Sequence, residues 1–124
     1  MKLYYHPIST TCRPIMLFAA EAGIALDYEF VDLFTGAHYK PEYEAINPSK
    51  QVPVLEDGDL VLTESSAILK YVADKVGSPA YPKDLKARAR VNEVMVASSP
   101  PPAIAAISAS MRSFTRARFC RSFG

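Results

Sequence analysis

Three short runs in this chain of 124 residues carry residue types that can do chemistry. The first is Ser9-Thr10-Thr11-Cys12-Arg13, which sets hydroxyls and a thiol at the start of an expected helix. Free N–H donors and the positive end of the macrodipole gather at such a place. A thiol brought there loses its proton more easily. One donated hydroxyl bond plus the dipole can lower a free value of about 8.5 by roughly 2 units. The same residues also suit a plain helix cap. The second run is Val52-Pro53, a proline opening a strand after a loop. A cis bond there would turn the Val52 backbone outward, where it can pair with an extended peptide. Cis occurs at only about 5% of X–Pro bonds, so trans is the ordinary alternative. The third is Glu64-Ser65-Ser66 at another helix start. Its N–H groups can bind a carboxylate and Glu64 an ammonium, although an acidic first turn is common without any ligand.

These runs need elements to hold them. Residues 2–5 read as a strand running into Pro7. A helix follows, with Thr11 as its N-cap and Pro14 in the first turn, where a missing N–H is harmless. Ile15, Phe18, Ala19 and Ala22 share one face, and Gly23 is the stop. Leu26, Tyr28 and Phe30 alternate with Asp27 and Glu29 as a half-buried strand. Residues 35–38 form a loop, residues 39–46 are short and helical or irregular, and Asn47-Pro48-Ser49 makes a turn. Val52–Leu55 reads as a strand, Glu56-Asp57-Gly58-Asp59 as a hairpin turn, and Leu60–Leu62 as the return strand. Thr63 or Glu64 then caps a helix whose apolar face is Ile68, Tyr71, Val72 and Val76, ended by Gly77.

The order β-α-β, link, β-β-α uses every element in one mixed four-stranded sheet with helices on both faces. The expected class is therefore α/β, thioredoxin-like, with a short C-terminal helix beginning near Leu85. Tyr4, Tyr5, Phe18, Tyr28 and Phe30 are expected in the core, and His6 in a loop. Arg13 is expected to meet a carboxylate. No stretch approaches the roughly 18 apolar residues a membrane helix needs. No signal peptide is legible at the start, so a cytoplasmic protein is the default. Cys12 and Cys120 are too few and too far apart for a disulfide framework, and no Cys/His group has zinc spacing.

The net charge of +1 hides an asymmetry. All thirteen Asp and Glu residues lie within residues 1–95, whereas 96–124 carry Arg112, Arg116, Arg118, Arg121 and no acid. Four charges there are weak evidence for nucleic acid, and none is expected as a partner. Residues 96–110 are nearly all Ala, Ser, Pro and Ile, with Pro100-Pro101-Pro102 breaking any helix.

An amine, a peptide backbone, a carboxylate and a thiol are the handles of glutathione, and the sequence from Leu3 to about Met95 resembles the glutathione transferase family. The resemblance rests on Ile46-Asn47-Pro48, Val52-Pro53-Val54-Leu55 and Leu62-Thr63-Glu64-Ser65-Ser66-Ala67-Ile68 with Tyr71 beyond. Val31-Asp32-Leu33 through Gly36, His38, Lys40 and Pro41 is similar to theta/delta-like, bacterial-type members. The resemblance implies that Ser9 hydrogen-bonds the glutathione sulfur, with Thr10 the alternative of a related cysteine-type class. It implies that Val52 pairs with the cysteinyl unit before a cis Pro53, and that Glu64 and Ser65 hold the γ-glutamyl end. Lys50 is placed at the glycine carboxylate and His38 at a further glutathione contact. Glutathione is the co-substrate, with no metal or prosthetic group. An electrophilic small molecule is the second substrate, and a homodimer the implied assembly.

The expected domains are 1–78, thioredoxin-like and glutathione-binding; 79–95, a linker and the start of a helical domain; and 96–124, an atypical, poorly ordered tail. That tail departs from the family pattern as a truncated or frameshifted part would. With no helical domain to wall the second substrate, weak glutathione binding and little conjugation are expected. Two rival readings stand beside the transferase. One is a non-catalytic glutathione- or protein-binding module. The other is a thiol–disulfide oxidoreductase using Cys12, although Ser9-x-x-Cys12 lacks the first cysteine of a dithiol motif and Cys12 suits a buried helix position better.

Overall fold

The structure, a computed structural model, describes residues 1–96, without the side chain of Val96. The readings made for residues 97–124 lie outside the described residues. The chain divides into two units, Met1–Tyr81 and Pro82–Gly124.

In the first unit, alternation along two short strands splits a small core across a sheet. Strand β1 is Lys2–Tyr5, β2 Asp27–Phe30, β3 Val54–Asp57 and β4 Leu60–Leu62. They pair in the order β2-β1-β3-β4. β1 and β2 are parallel, joined through helix α1 (Arg13–Glu21), and the other two pairings are antiparallel. Successive strand residues face opposite sides. Leu3, level with Leu55 and Tyr28, therefore packs with Ile15 of α1 and with Ile68 and Val72 of helix α3 (Ser65–Lys75). Tyr4, level with Val54, faces the other way and packs with Val31 and with Tyr43 of helix α2 (Pro41–Glu44). This is the α/β, thioredoxin-like sheet with helices on both faces. Each fully buried aliphatic side chain contributes about 1.5–3 kcal/mol.

Both long helices of this unit stop by one device. After α1, Ile24 N–H reaches Ala19 O (2.8 Å) and Gly23 N–H reaches Ala20 O (3.4 Å). After α3, Ser78 N–H reaches Ala73 O (2.8 Å) and Gly77 N–H reaches Asp74 O (3.1 Å). Gly23 and Gly77 take positive φ, 65° and 64°, which only glycine adopts freely. The stop explains two corrections. Ala22 and Val76 are the C-caps, both exposed, because the chain leaves the helix face there.

Other expectations also change. Cys12, not Thr11, is the N-cap of α1, because the Thr11 hydroxyl is spent across the fold on Val52 O. β3 begins two residues later than expected and runs through Glu56 and Asp57, leaving Gly58-Asp59 as a two-residue turn. β2 is exposed throughout. It is an edge strand, so Tyr28 (42% exposed) and Phe30 (53%) have a neighbouring strand on one side only, and Tyr5 stacks edge-on against both. Tyr4 is core, whereas Tyr5 and Phe18 are half-buried. His6 is buried, with its Nδ1 accepting from Ile8 N–H and its ring against Phe30 and Phe34. Among the described residues, Arg13 meets no carboxylate. Its Nε donates to Pro7 O at 3.3 Å and closes the loop before α1.

A polar latch ties α3 to the β3–β4 hairpin. Tyr71 OH donates to Asp57 Oδ2 at 2.6 Å, and Lys75 Nζ pairs with the same oxygen. The Lys75 and Tyr71 bonds hold Asp57 below its ordinary 3.8, and the Asp57 bond raises Lys75 above 10.5. The folded state thus favours the charged pair. Asp57's contribution is complete above pH 3.8 and is lost as pH falls through its lowered folded value. Lys75's is complete below pH 10.5 and is lost as pH rises through its raised one. Asp57→Asn is expected to flatten the acid limb of stability. Urea unfolding between neutral pH and pH 3 or below measures this, and equal acid losses in variant and wild type would refute it.

In the second unit, helix α4 (Leu85–Val96) matches the expected start near Leu85. Asp84 caps it through Oδ1 to Ala87 N–H at 2.9 Å. Arg90 pairs with Glu93 one turn on. No helix among the described residues is long and apolar enough to cross a membrane.

Candidate functional site

The loop from β1 to α1 is pinned before it reaches its hydroxyls. Ser9 N–H donates to His6 O (3.0 Å), and Cys12 and Arg13 N–H both reach Ser9 O (3.2 Å). Ser9 is half-buried, and its Oγ lies 2.8 Å from Thr11 Oγ1. Thr11 Oγ1 lies 3.0 Å from Val52 O. A carbonyl cannot donate, so Thr11 is the donor to Val52. The bond spans 41 positions in sequence and sets the α1 loop against the entry to β3.

The second wall is the segment between α2 and β3. Asn47 is 1% exposed and uses both ends of its amide: Nδ2 donates to Gln51 O (2.8 Å), and Oδ1 accepts from Ser49 N–H (3.0 Å). The Tyr43 hydroxyl donates to the same Gln51 O at 2.7 Å. Burial pushes the Tyr43 hydroxyl well above its ordinary range, so it stays a donor. Gln51 O thus accepts two bonds, which fixes the chain before Val52. Lys50 sits in the left-handed region (φ 55°), a conformation that costs a non-glycine residue about 1–3 kcal/mol. Its ammonium lies 3.1 Å from Glu44 Oε1, with both side chains partly exposed. Such a pair is worth about 0–1 kcal/mol, so Lys50 can exchange Glu44 for another anion at little cost. The Val52–Pro53 peptide is cis.

The third wall is the start of α3. Glu64 is its N-cap with extended backbone, and its carboxylate makes no capping bond. Among the described residues, no side chain caps the N–H groups of the first turn, which can take an anion next to a carboxylate able to take a cation.

These walls line one open cavity of about 400 Å³. Ser9, His38, Lys50, Val52, Pro53, Glu64 and Ser65, all singled out from sequence, line it. Thr10 does not line it. Among the described residues, His38 Nδ1 is buried without a hydrogen-bond partner, and its ring lies 3.9 Å from that of Tyr39. Thr11, Leu33, Tyr39, Gln51 and Thr63 also line the cavity and were not anticipated there. For Gln51 a signal existed: Asn47 before Pro48 is an Asx-turn former, and such a turn aims the next few carbonyls. For Thr11 local sequence carried none, since its partner is remote. Cys12 is fully buried, so its thiol is not presented at the loop for disulfide exchange. Among the described residues, no group of three or more His, Cys, Asp or Glu side chains is placed to hold a metal ion.

A family model described as "Glutathione S-transferase, N-terminal domain" matches residues 1–74. The chain is 43% identical over 97 residues to human glutathione S-transferase theta-1, covering 77% of this chain and 40% of that protein. It is 40% identical over 97 residues to mouse glutathione S-transferase theta-3, with the same coverage. Among solved structures, human glutathione transferase theta-2 in complex with glutathione and an unknown ligand aligns with TM-score 0.72 and 44% identity. That alignment covers 76% of this chain and 40% of the other. A delta-class glutathione transferase of Nilaparvata lugens aligns with TM-score 0.71 and 44% identity over 76% of this chain and 45% of its own. The chain spans about 40% of the length of the curated relatives it matches.

Proposed function

The chain belongs to the glutathione S-transferase family, matching its N-terminal domain, and from that premise we propose that its cavity is a glutathione half-site that activates the thiol for conjugation. The observation that carries the reading is the meeting of three unlike recognition devices in one cavity of about 400 Å³. The Ser9 hydroxyl donates to the sulfur. The Val52 backbone, ahead of cis Pro53, pairs with the cysteinyl unit. The open N–H groups from Ser65 onward take the γ-glutamyl carboxylate, and Glu64 takes its ammonium. Lys50 turns from Glu44 to the glycine carboxylate, and His38 Nδ1 supplies a further polar contact. The thiol proton leaves to solvent, while Ser9 keeps its own proton and stabilises the thiolate. The sulfur then forms a bond to an electrophilic carbon of a small second substrate, whose leaving group departs with the electron pair. The chemistry needs no metal or prosthetic group, and glutathione is co-substrate. The family setting also suggests a homodimer in the cytoplasm.

Calorimetric titration of the full chain with glutathione tests the reading. We expect measurable binding that weakens about tenfold or more in Glu64→Ala, since hydrogen bonds to charged groups are worth roughly 1.5–3 kcal/mol. No heat from the wild-type protein, or equal affinity in the variant, would refute the assignment.

A further inference from the structure

We infer that Thr11 is a positioning residue that couples pairing of a peptide at Val52 to the direction of the Ser9 proton. The inference rests on the half-site reading above and specifies how that site is switched on.

Donor counting fixes the arrangement. A hydroxyl has one proton. Thr11 spends its proton on Val52 O at 3.0 Å. The 2.8 Å contact between Ser9 Oγ and Thr11 Oγ1 must therefore be donated by Ser9. Ser9 also accepts a long 3.4 Å bond from the Cys12 amide, whose shorter partner is Ser9 O at 3.2 Å. The chain of donors runs Ser9 to Thr11 to Val52, away from the place where a sulfur would sit. In this state Ser9 has no proton free for a thiolate.

A bound peptide reverses the direction. Its amide N–H takes a lone pair of Val52 O, which weakens the claim of Thr11 on that oxygen. The thiolate draws the Ser9 proton, and an oxygen whose proton is engaged by an anion becomes a better acceptor. Thr11 then rotates about one bond and donates to Ser9 Oγ, with the heavy atoms almost unmoved. The donors now run Thr11 to Ser9 to sulfur, each proton staying on its own oxygen. A peptide at Val52 thereby strengthens the donor to the thiolate, and an empty site holds Ser9 turned away.

The test measures the pKa of bound glutathione from its thiolate ultraviolet band in wild type, T11V and T11S. Valine keeps the β-branched shape but can neither donate nor accept. Thr11 is exposed, so the substitution spares the core. T11V is expected to raise the bound-thiol pKa by about half a unit to one unit, a roughly three- to tenfold loss of thiolate at a pH below it. T11S is expected to restore the wild-type value. Affinity for the thiol-free analogue, with 2-aminobutyrate in place of cysteine, is expected to change by less than about threefold. A merely structural role would move that affinity and leave the pKa alone. If T11V fails to fold, T11A carries the same expectation. A wild-type pKa in the hydroxyl-free variants overturns the coupling while leaving the half-site reading intact. A wild-type protein that binds neither peptide overturns both.

Discussion

Ser9→Ala is expected to leave the protein folded and able to bind the tripeptide, yet to return the bound thiol toward its free value of about 8.5. The side chain is half-buried and belongs to neither core cluster, so its loss opens no cavity in the core. What disappears is a cavity-lining hydroxyl at the helix start, the one proposed to donate to the sulfur. A donor to an anion is worth about 1.5–3 kcal/mol, or roughly one to two pKa units. At a pH below the wild-type value, the thiolate fraction, and any conjugation rate it supports, are therefore expected to fall about ten- to a hundredfold. The helix terminus remains and accounts for whatever depression survives. Thr10→Ala is the internal control. Thr10 is exposed and does not line the cavity, so its removal is expected to change the thiol by less than a few tenths of a unit. A Thr10→Ala variant with the large effect and a silent Ser9→Ala would transfer the role to Thr10. Spectroscopic titration of bound glutathione decides between them.

Leu55→Ala is expected to remove about 3–4 kcal/mol of stability, within the range found for leucine truncations in closed cores. Leu55 is fully buried, stands between Leu3 on β1 and Leu62 on β4, and shares its cluster with Ile15, Ile68 and Val72. No neighbouring main chain can collapse into the space, because β3 is held by hydrogen bonds on both sides. Domains commonly have only 5–15 kcal/mol in all, so this one truncation takes a large share. Urea denaturation would show it as a midpoint lowered by about 1–4 M at an m-value of about 1–3 kcal/mol/M. The site weakens with the core, since Leu55 lies two residues beyond cis Pro53. A loss below about 1 kcal/mol would mean that the cluster is not the core that holds the sheet.

Sequence reading succeeded where the determinants are local and failed where they are relational. Gly23 and Gly77 end their helices as read, because a positive φ is a property of the residue itself. Gly58 likewise marks the hairpin, although the turn proves shorter than the Glu56–Asp59 run suggested. Tyr28 and Phe30 misled because alternation reports that a strand has two faces, not whether anything covers them. Edge position belongs to the sheet. His6 misled in the opposite sense: a histidine before proline reads as loop, yet the aromatic edge closes over it.

The amino-acid sequence by itself determined the element order and the helix stops, and its resemblance to the family pointed to seven of the twelve residues that line the cavity. It did so because capping, turn chemistry and the spacing of Val52-Pro53 and Glu64-Ser65 are written in adjacent positions. Only the tertiary structure decided how those residues address one another. The direction of the Ser9 proton follows from a bond between Thr11 and Val52, 41 positions apart. The fixing of Gln51 follows from Asn47 and Tyr43 converging on one carbonyl. The absence of a capping bond from Glu64 and, among the described residues, the buried Nδ1 of His38 without a partner are likewise properties of placement. A side chain's type states what bonds it can make. Which bonds it makes depends on the groups that folding brings within about 3 Å, and distance in the chain carries no record of that.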